Sequence, residues 1–350
     1  MKKFIIFASG IHGGGGLVVL TEIIETIKNK QNVLLFLDER SKEKLDRDKL
    51  INFKSIVWTK NSVLGRIIAY RKLSKYCEKE DNVLCLNNLP PIFSCKGSII
   101  VYLQNVHIIQ PLSFRGWTFL QILRIQAERI IAYYFRKRVD KYIVQTITMK
   151  KKLERWYEKD SSKKIPKIEI MPIFKTFKIN KKDSLLDDFK EIDFLYVADG
   201  QPHKNHENLL KAWQHLSSLG ISANLSLTII KNDQIENKIN DMKENGINIQ
   251  NLGEIDHEDM GMIYANSKAL IYPSFFESLG LPLLEASSLN LPIIASELDY
   301  VYDVCNPILT FDPNSYLSIC RAVTRFLKIK DIKEQSIKPK EALKNIFLIE

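Results

Sequence analysis

The sequence has few cysteines and no long hydrophobic run, and both absences restrict the kind of protein it encodes. Its five cysteines are odd in number and include no C-x-x-C pair. This argues against a disulfide framework and against a structural zinc site. No segment approaches the roughly 20 consecutive apolar residues of a transmembrane helix. We therefore expect a cytoplasmic protein whose cysteines stay reduced.

Signals for bound metal and for nucleic acid are also absent. No D-x-D motif stands at the end of a predicted strand, and no cluster of His and Cys has metal-ligand spacing. The formal net charge of +10 would suit nucleic acid, anionic lipid or a phosphorylated substrate. Because no recognisable DNA- or RNA-binding motif accompanies this charge, we expect no nucleic-acid partner, no metal and no other cofactor.

Apolar runs alternate with helical stretches along the whole chain, which is typical of βαβ units and a mostly parallel sheet. The 350 residues suit two such domains better than one. Residues 1–172 are the predicted first domain, 173–327 the second, and 328–350 a tail. The predicted strands cover residues 4–8, 33–37, 54–58, 82–87, 98–104, 141–145 and 168–171, then 193–198, 225–230, 247–252, 269–272, 293–295 and 307–311.

A glycine-rich loop follows the first predicted strand. It runs from Gly10 through a run of four glycines to Gly16, and a helix is predicted over residues 17–27. Strand, glycine-rich loop and helix in this order let the backbone approach a phosphate or a sugar closely. We therefore expect Gly14 and Gly15 to contact the phosphate or the sugar of a bound nucleotide.

The segment 272–296 holds the most informative pattern in the chain. A buried strand ends at Pro273, and Gly280 and Pro282 open a helix, where proline near the first turn is tolerated. Glu277 precedes this helix, and Glu285 lies about one turn inside it, so that seven residues separate the two acids. Either acid alone is ordinarily a dipole-complementing or solvated helix residue.

Backbone amides at the start of this helix would form an anion site between the two acids. The N–H groups of Leu279, Gly280 and Leu281 point out of the predicted N-terminus, where phosphate binds well. Such a site suits a sugar nucleotide, with its diphosphate on the amides. Glu285 would then bind the ribose hydroxyls, and Glu277 would lie near the sugar.

This segment resembles the E-x7-E signature of the retaining glycosyltransferases of family 4. The matching residues are the P-S before Glu277, the S-x-G-x-P between the acids, and the alanine after Glu285. The resemblance implies an α/β protein of GT-B fold, with two facing Rossmann-like domains, mostly parallel sheets and an interdomain cleft. It further implies metal-independent hexosyl transfer from a nucleoside-diphosphate sugar to a saccharide, in the biosynthesis of a bacterial surface polysaccharide.

The resemblance also assigns roles outside this segment: the first predicted domain, residues 1–172, would bind the acceptor, and the second, residues 173–327, the nucleotide sugar. The family places its phosphate-binding lysine in a K-N or K-G step, which Lys204 and Asn205 match. The arginine that usually comes shortly after the preceding strand is replaced here by Asp199-Gly-Gln, so the second cation on the diphosphate is unassigned. At the end of strand 98–104, either His107 or Asn105 would contact the donor sugar.

The segment from Trp117 to Arg138 combines a wide apolar, aromatic face with arginines at its border. Such a helix suits an anionic membrane surface, although a core helix with solvated basic ends has the same pattern. The family often acts on lipid-linked acceptors, so we expect a lipid-linked saccharide acceptor and association with the inner face of the cell membrane. The apolar residues are Trp117, Phe119, Leu120, Ile122, Leu123, Ala127, Ile130, Ile131, Tyr134 and Phe135.

Two other functions fit parts of the sequence. Gly10, Gly13 and Gly16 form G-x-x-G-x-x-G, Asp38 ends the next strand, and Tyr133 with Lys137 forms Y-x-x-x-K downstream of Ser113. This set resembles extended short-chain dehydrogenases, which would make the protein an NAD-dependent sugar-nucleotide epimerase or dehydratase. The third hypothesis is a peripheral membrane protein without catalytic activity.

Overall fold

The computed structural model describes residues 2–110, 116–158, 165–174, 192–230 and 232–334. They form two compact units, each built on its own sheet. Unit one comprises Met1–Thr176 together with Glu277–Glu285, and unit two comprises Phe177–Phe276 together with Ala286–Glu350. Ser113, the segment 175–191 and the tail beyond residue 334 lie outside the described residues.

The sheet of unit one has seven parallel strands in the order β3-β2-β1-β4-β5-β6-β7. Its central strands are apolar and almost fully buried, as expected where helices cover both faces of a sheet. The strands are β1 (Phe4–Ala8), β2 (Val33–Asp38), β3 (Ser55–Thr59), β4 (Asn82–Cys85), β5 (Ser98–Tyr102), β6 (Lys141–Val144) and β7 (Lys167–Ile170).

Helices connect these strands in the βαβ manner. Leu20 and Ile24 of the first helix pack on Ile6 and Leu35 of the sheet and form part of the core of the unit. The helices of this part of the chain are α1 (Gly14–Thr26), α2 (Arg47–Leu50), α3 (Val63–Tyr76), α4 (Phe119–Phe135) and α5 (Ile147–Glu158).

The sheet of unit two has six parallel strands in the order β10-β9-β8-β11-β12-β13. Its strands are β8 (Ile192–Tyr196), β9 (Leu225–Leu227), β10 (Ile249–Asn251), β11 (Ser267–Tyr272), β12 (Ile293–Ser296) and β13 (Leu309–Phe311). The helices in this part of the sequence are α6 (His206–Ser218), α7 (Asp233–Glu244), α8 (His257–Ala265), α9 (Leu281–Ser288), α10 (Asp299–Tyr302) and α11 (Tyr316–Glu334).

The predicted alternation of strands and helices is confirmed, and the differences lie at element ends. β4, β5 and β9 stop two to three residues earlier than predicted, at Cys85, Tyr102 and Leu227. α1 starts at Gly14, inside the glycine run. α11 continues beyond Leu327 to Glu334.

Candidate functional site

The glycine run of unit one forms the start of α1. Gly14 has φ +60°, a left-handed conformation that glycine adopts without strain. A β-carbon built on Gly15 would lie 3.2 Å from Cδ1 of Leu281. This close approach brings the starts of two helices, α1 and α9, together. No side chain caps α1 and its first turn carries no acid.

The loop before α9 is held against the same unit. The Thr146 hydroxyl, just after β6, donates to the Ser278 carbonyl at 3.2 Å. Gly280 has φ +75°, and a β-carbon there would lie 3.0 Å from Cδ1 of Leu283. Both the backbone conformation and the space therefore require glycine between Leu279 and α9. The sequence did not indicate Thr146, although its position at a strand end is the place to search.

The two acids of the signature differ in burial. Glu285 is 7% exposed, so it is not the solvated helix residue that the simplest interpretation of the sequence suggests. Glu277 is half-buried in the loop before α9. The burial of Glu285 therefore matches a residue of a site rather than one of the solvated surface.

His107 lies in a short 3-10 turn, Val106–Ile108, at the carboxyl end of β5. Its ring meets Trp117 edge to face, with centroids 5.0 Å apart. Arg129 of α4 donates to the carbonyls of His107 and Gln110 and so ties the turn to the helix. The side chain is 7% exposed, so its orientation is fixed by packing.

The imidazole of His107 is neutral at physiological pH. Burial lowers its pKa to about 4, Glu277 opposes this by stabilising the charged form, and Arg129 lowers the pKa further. Glu277 is thus close enough to act electrostatically on His107. A neutral imidazole can donate one hydrogen bond and accept another, which suits contacts to sugar hydroxyls.

Asn105 has a structural function. Its side-chain oxygen accepts a hydrogen bond from the backbone N–H of His107 at 3.0 Å and caps the 3-10 turn. Its own N–H donates to the Asn88 side chain at 2.9 Å. The oxygen of Asn105 is therefore engaged, whereas the ring of His107 is directed by the turn that Asn105 stabilises.

Lys204 ends the 3-10 turn Pro202–Lys204 after β8, in unit two. The Tyr196 hydroxyl donates to the Lys204 carbonyl at 2.6 Å. Asn205 follows with φ +61°, and its side chain donates to the carbonyls of Pro273 and Pro313 at 3.0 and 2.8 Å. The backbone that carries Lys204 is therefore fixed to the end of β11.

A stacked pair of rings, His203 and Phe276, also holds the turn Pro202–Lys204 in place. The rings of His203 and Phe276 lie 4.8 Å apart and 10° from parallel. The Phe275 N–H donates to the His203 carbonyl at 2.9 Å. Phe276 immediately precedes Glu277, so the residue before Lys204 packs on the residue before Glu277.

The departure at Asp199-Gly-Gln has a steric component. A β-carbon on Gly200 would lie 2.3 Å from Nδ2 of Asn232, so a side chain at residue 200 requires the backbone or Asn232 to move. Asp199 is exposed, and Gln201 donates to its carboxylate at 2.9 Å. This turn supplies an acid where the resembling family has a cation.

The apolar face predicted around α4 is exposed. Leu120 and Tyr134 are more than two-thirds exposed, and only Ile125 and Ala132 of the helix are buried. The core-helix interpretation is therefore wrong for most of this face. The exposed large residues of α4 are Phe119, Leu120, Leu123, Ile130, Tyr133 and Tyr134.

The arginines at the border of this face do not form one exposed set, which corrects the expectation from the sequence. Arg136 is 1% exposed and lies over the rings of Tyr133, Trp156 and Tyr157, at 3.8, 5.1 and 5.6 Å. Arg129 is bound to backbone carbonyls, as described above. Arg124 and Lys137 are the exposed cations, and Arg124 pairs with Glu128 at 2.9 Å.

The residues of the dehydrogenase hypothesis are engaged in other contacts. Asp38 is buried and binds Arg40 through both carboxylate oxygens, at 2.8 and 2.9 Å. Tyr133 lies on α4 beneath the guanidinium of Arg136. Asp38 is thus already paired at the place where this hypothesis requires it to bind ribose.

Neither a membrane-spanning helix nor a cluster of metal ligands occurs among the described residues. Within the described ranges, no helix combines the length and the apolar character needed to cross a bilayer. Among those residues, no three His, Cys, Asp or Glu side chains lie together in a way that could hold a metal ion.

Solved structures share this pair of parallel α/β sheets. Sucrose-phosphate synthase from Thermosynechococcus elongatus aligns with a TM-score of 0.68 at 15% identity, over 94% of this chain and 90% of that one. Anabaena HepE, in complex with UDP and glucose, aligns with a TM-score of 0.67 at 15% identity, over 95% and 91%. The fold is GT-B. At such low identity the likeness concerns the fold alone.

Sequence comparisons point to the same class of protein. Residues 177–342 match the family model described as Glycosyl transferases group 1. O-antigen chain mannosyltransferase RfbU of Salmonella typhimurium is 26% identical over 198 residues, 56% of this chain and 53% of that protein. O-antigen chain mannosyltransferase B of Escherichia coli is 29% identical over 141 residues, 38% and 36%. The chain thus spans about half the length of the first relative and less of the second. These matches support a glycosyltransferase.

Proposed function

We propose that the protein is a retaining, metal-independent glycosyltransferase of the E-x7-E type. It transfers a hexose from a nucleoside-diphosphate sugar to a lipid-linked saccharide during assembly of a bacterial surface polysaccharide. The two relatives act on O-antigen chains according to their names, which favours this pathway class and makes mannose the first sugar to test. HepE binds UDP and glucose, which supports a nucleotide-sugar donor.

One observation carries the proposal: the signature segment belongs to the same compact unit as the glycine loop and His107. Glu277–Glu285 groups with the first sheet, Leu281 approaches Gly15, and Glu277 acts electrostatically on His107. Amides at a helix start, a neutral imidazole and a half-buried carboxylate therefore occur together. This combination suits a diphosphate with a sugar attached.

The proposed chemistry follows from these groups. The acceptor oxygen forms a bond to the anomeric carbon on the face that the leaving diphosphate vacates, while the bond from that carbon to the diphosphate oxygen breaks. Negative charge grows on the leaving diphosphate, and its departing oxygen accepts the proton of the acceptor hydroxyl. The amides of Leu279, Gly280 and Leu281 stabilise this charge, and Lys204 is proposed to add a cation. His107 and Glu277 hold the sugar, Glu285 holds the ribose, and Gly14 and Gly15 allow close approach of the diphosphate.

A ligand-stabilisation screen tests the donor class. The shift in Tm is measured with UDP-, GDP- and ADP-sugars and with NAD, with and without EDTA. We expect one nucleotide-sugar family to stabilise the protein and NAD to have no effect. Stabilisation by NAD alone would instead favour the dehydrogenase hypothesis, and transfer that requires Mg²⁺ or Mn²⁺ would contradict metal independence.

The substitution Glu285→Ala tests the ribose contact. It should leave buried hydroxyl groups unpaired, at a cost of roughly 1–3 kcal/mol. This cost corresponds to a loss of donor affinity of about tenfold or more, measured by calorimetry. Glu244→Ala, at the exposed end of α7, is the control, and unchanged affinity in Glu285→Ala would remove the assignment.

We further propose that α4 holds the protein at the inner face of the cell membrane. Its exposed apolar residues would insert at the interface, and Arg124 and Lys137 would meet anionic headgroups. The exposure of Phe119, Leu120, Leu123, Ile130 and Tyr134 supports the proposal. Arg129 and Arg136 are excluded from lipid contact because both are used inside unit one.

Vesicle co-sedimentation tests the membrane surface. Phe119→Ser with Leu120→Ser removes the two most exposed apolar side chains of α4, which are 73% and 76% exposed. Arg124→Glu with Lys137→Glu reverses the two exposed charges. Each pair should lower binding to anionic vesicles, whereas Lys243→Glu with Arg325→Glu, exposed charges of the other unit, should not. Equal binding by all variants would contradict the assignment.

A further inference from the structure

A second group of polar residues lies at the carboxyl ends of β1, β2 and β3, separate from His107 and Glu277. Gly10 follows β1, Arg40 follows β2, and Arg66 lies in the first turns of α3 after β3. Ligands of open parallel sheets bind beyond these strand ends. No residue of this group has a place in the proposed donor site.

Hydrogen bonds fix the geometry of this group. Arg40 is held by Asp38, and its Nη1 lies 3.2 Å from Nε2 of His12. Nδ1 of His12 lies 3.2 Å from the Gly10 carbonyl. Because a guanidinium only donates and a carbonyl only accepts, His12 accepts at Nε2 and donates at Nδ1. The chain Asp38–Arg40–His12–Gly10 therefore uses both ring nitrogens and holds the loop in one position.

Arg66, unlike Arg40, has no carboxylate partner among the residues that the structure describes. Its guanidinium lies against Gly10, where a β-carbon would be 3.7–3.9 Å from Nη2, Cζ and Nε. Gly10 has φ +96°, which favours glycine at this contact. Throughout the described ranges, no carboxylate lies within 4.0 Å of this guanidinium, whereas Arg40 has Asp38. Arg66 is half-buried, so part of its planar guanidinium is accessible to a ligand.

Sheet order decides which substrate this cation would meet. β1 separates β2 and β3 from β4 and β5, and neighbouring strands are about 4.8 Å apart. The Arg66 guanidinium lies against Gly10 at the end of β1, so it is roughly 10 Å, two strand spacings, from the end of β5, where His107 lies. The resemblance assigns the acceptor to this unit, so we take an oxyanion bound at this distance from His107 to belong to the acceptor.

We propose that Arg66, with its guanidinium held against Gly10, binds an oxyanion of the acceptor. The inference rests on the proposed glycosyltransferase function and names one feature of its substrate: a phosphate or carboxylate remote from the reacting hydroxyl. Arginine binds both groups through two parallel N–H···O bonds. The oxyanion could belong to the diphosphate of a lipid carrier or to an acidic sugar.

The test uses the full chain with its donor site filled by a saturating nucleoside diphosphate. Inorganic pyrophosphate, methyl glucuronide and uncharged methyl glucoside are then titrated at constant ionic strength, with Tm as the readout. We expect pyrophosphate or the glucuronide, and not the glucoside, to stabilise the nucleotide-bound protein. Stabilisation by pyrophosphate would assign the oxyanion to the diphosphate of a lipid carrier. Stabilisation by methyl glucuronide would assign it to an acidic sugar.

Three variants connect this binding to Arg66. Arg66→Gln should weaken the active probe at least tenfold, and Arg66→Lys should restore part of the affinity. Lys72→Gln, an equal loss of charge at an exposed position of the same helix, should have no effect. The proposal is overturned if neither anion binds, if Arg66→Gln and Lys72→Gln behave alike, or if Arg66→Gln weakens the nucleoside diphosphate instead. Failure of every nucleoside diphosphate to bind wild type would overturn the proposed function itself.

Discussion

Two turns of this molecule are built alike and differ in what surrounds them. The turn after β5, in unit one, is the 3-10 segment Val106–Ile108, preceded by Asn105. The turn after β8, in unit two, is the 3-10 segment Pro202–Lys204, followed by Asn205. Each holds or adjoins a buried histidine, His107 or His206, with 7% and 4% of its surface exposed.

Burial keeps both histidines neutral, since it lowers the pKa of His107 to about 4 and that of His206 to about 3. Only His107 has a carboxylate, Glu277, among the groups that act on it. Lys204 and His203 act on His206, and both lower its pKa further. Within the described residues, neither ring nitrogen of His206 has a hydrogen-bond partner, and the ring packs on Tyr196 at 5.0 Å.

A lowered pKa is therefore insufficient to identify a functional histidine here. His206 is desolvated because it fills space at the start of α6, whereas His107 is desolvated beside an acid of the signature. Perturbed groups indicate a site only when a specific charge partner accompanies the burial. We therefore predict ligand contact for the histidine of the first turn and for the lysine of the second.

The matched substitutions His107→Leu and His206→Leu are the strongest test of this difference. Loss of a group that contacts the sugar in the transition state should lower kcat/KM by about 100-fold, so we expect this loss for His107→Leu. For His206→Leu we expect a change below about threefold, since no hydrogen bond is lost. Release of nucleoside diphosphate is the measurement, and equal losses in the two variants would contradict the distinction.

Lys204→Gln sharpens the comparison within the second turn. A hydrogen bond to a charged group contributes about 1.5–3 kcal/mol, so donor affinity should fall about tenfold or more. Lys211→Gln is the control, because Lys211 lies on the adjoining helix α6 and pairs with Glu207 at 2.7 Å. Calorimetry with the nucleoside diphosphate gives both values, and indistinguishable affinities would exclude Lys204 from the diphosphate site.

The two turns also show which features of the site the sequence predicts and which it does not. The strand pattern predicts a turn after Gln104 and another after Ala198, and both turns are present. That His107 and Lys204 bind the donor stays a prediction. The sequence left His107 and Asn105 as alternatives, because no spacing indicates the hydrogen bond by which Asn105 caps the turn that presents His107.

Arginines were the least predictable part, because the same basic, aromatic segment contains an exposed Arg124 and a buried Arg136. Whether each arginine is exposed or buried depends on residues that lie far from it in the sequence. Trp156 and Tyr157 of α5 cover Arg136. For the same reason, Arg66 was not indicated until its guanidinium was found against Gly10.

Acid sensitivity provides a smaller test. The folded-state pKa of His206, about 3, is below its ordinary value of 6.5, so the unfolded chain takes up the proton first. The resulting stability is present above about pH 6.5 and is lost as pH falls toward 3. Between pH 7.5 and 5.5, wild type should therefore lose about 1 kcal/mol more of its free energy of unfolding than His206→Leu. Chemical denaturation measures this, and identical losses would mean that His206 is protonated in the folded state.

The smallest expected effects are opposite shifts in the pKa of His107 alone. Glu277 raises this pKa and Arg129 lowers it, both against the larger effect of burial. Glu277→Gln should therefore lower the pKa of His107, and Arg129→Gln should raise it, whereas Arg129→Lys keeps the charge and should leave it nearly unchanged. Histidine ring resonances followed by NMR during an acid titration report both shifts, with His206 as the internal reference. If Glu277→Gln leaves the titration of His107 unchanged, the carboxylate does not act on this ring, and the distinction between the two histidines loses its electrostatic basis.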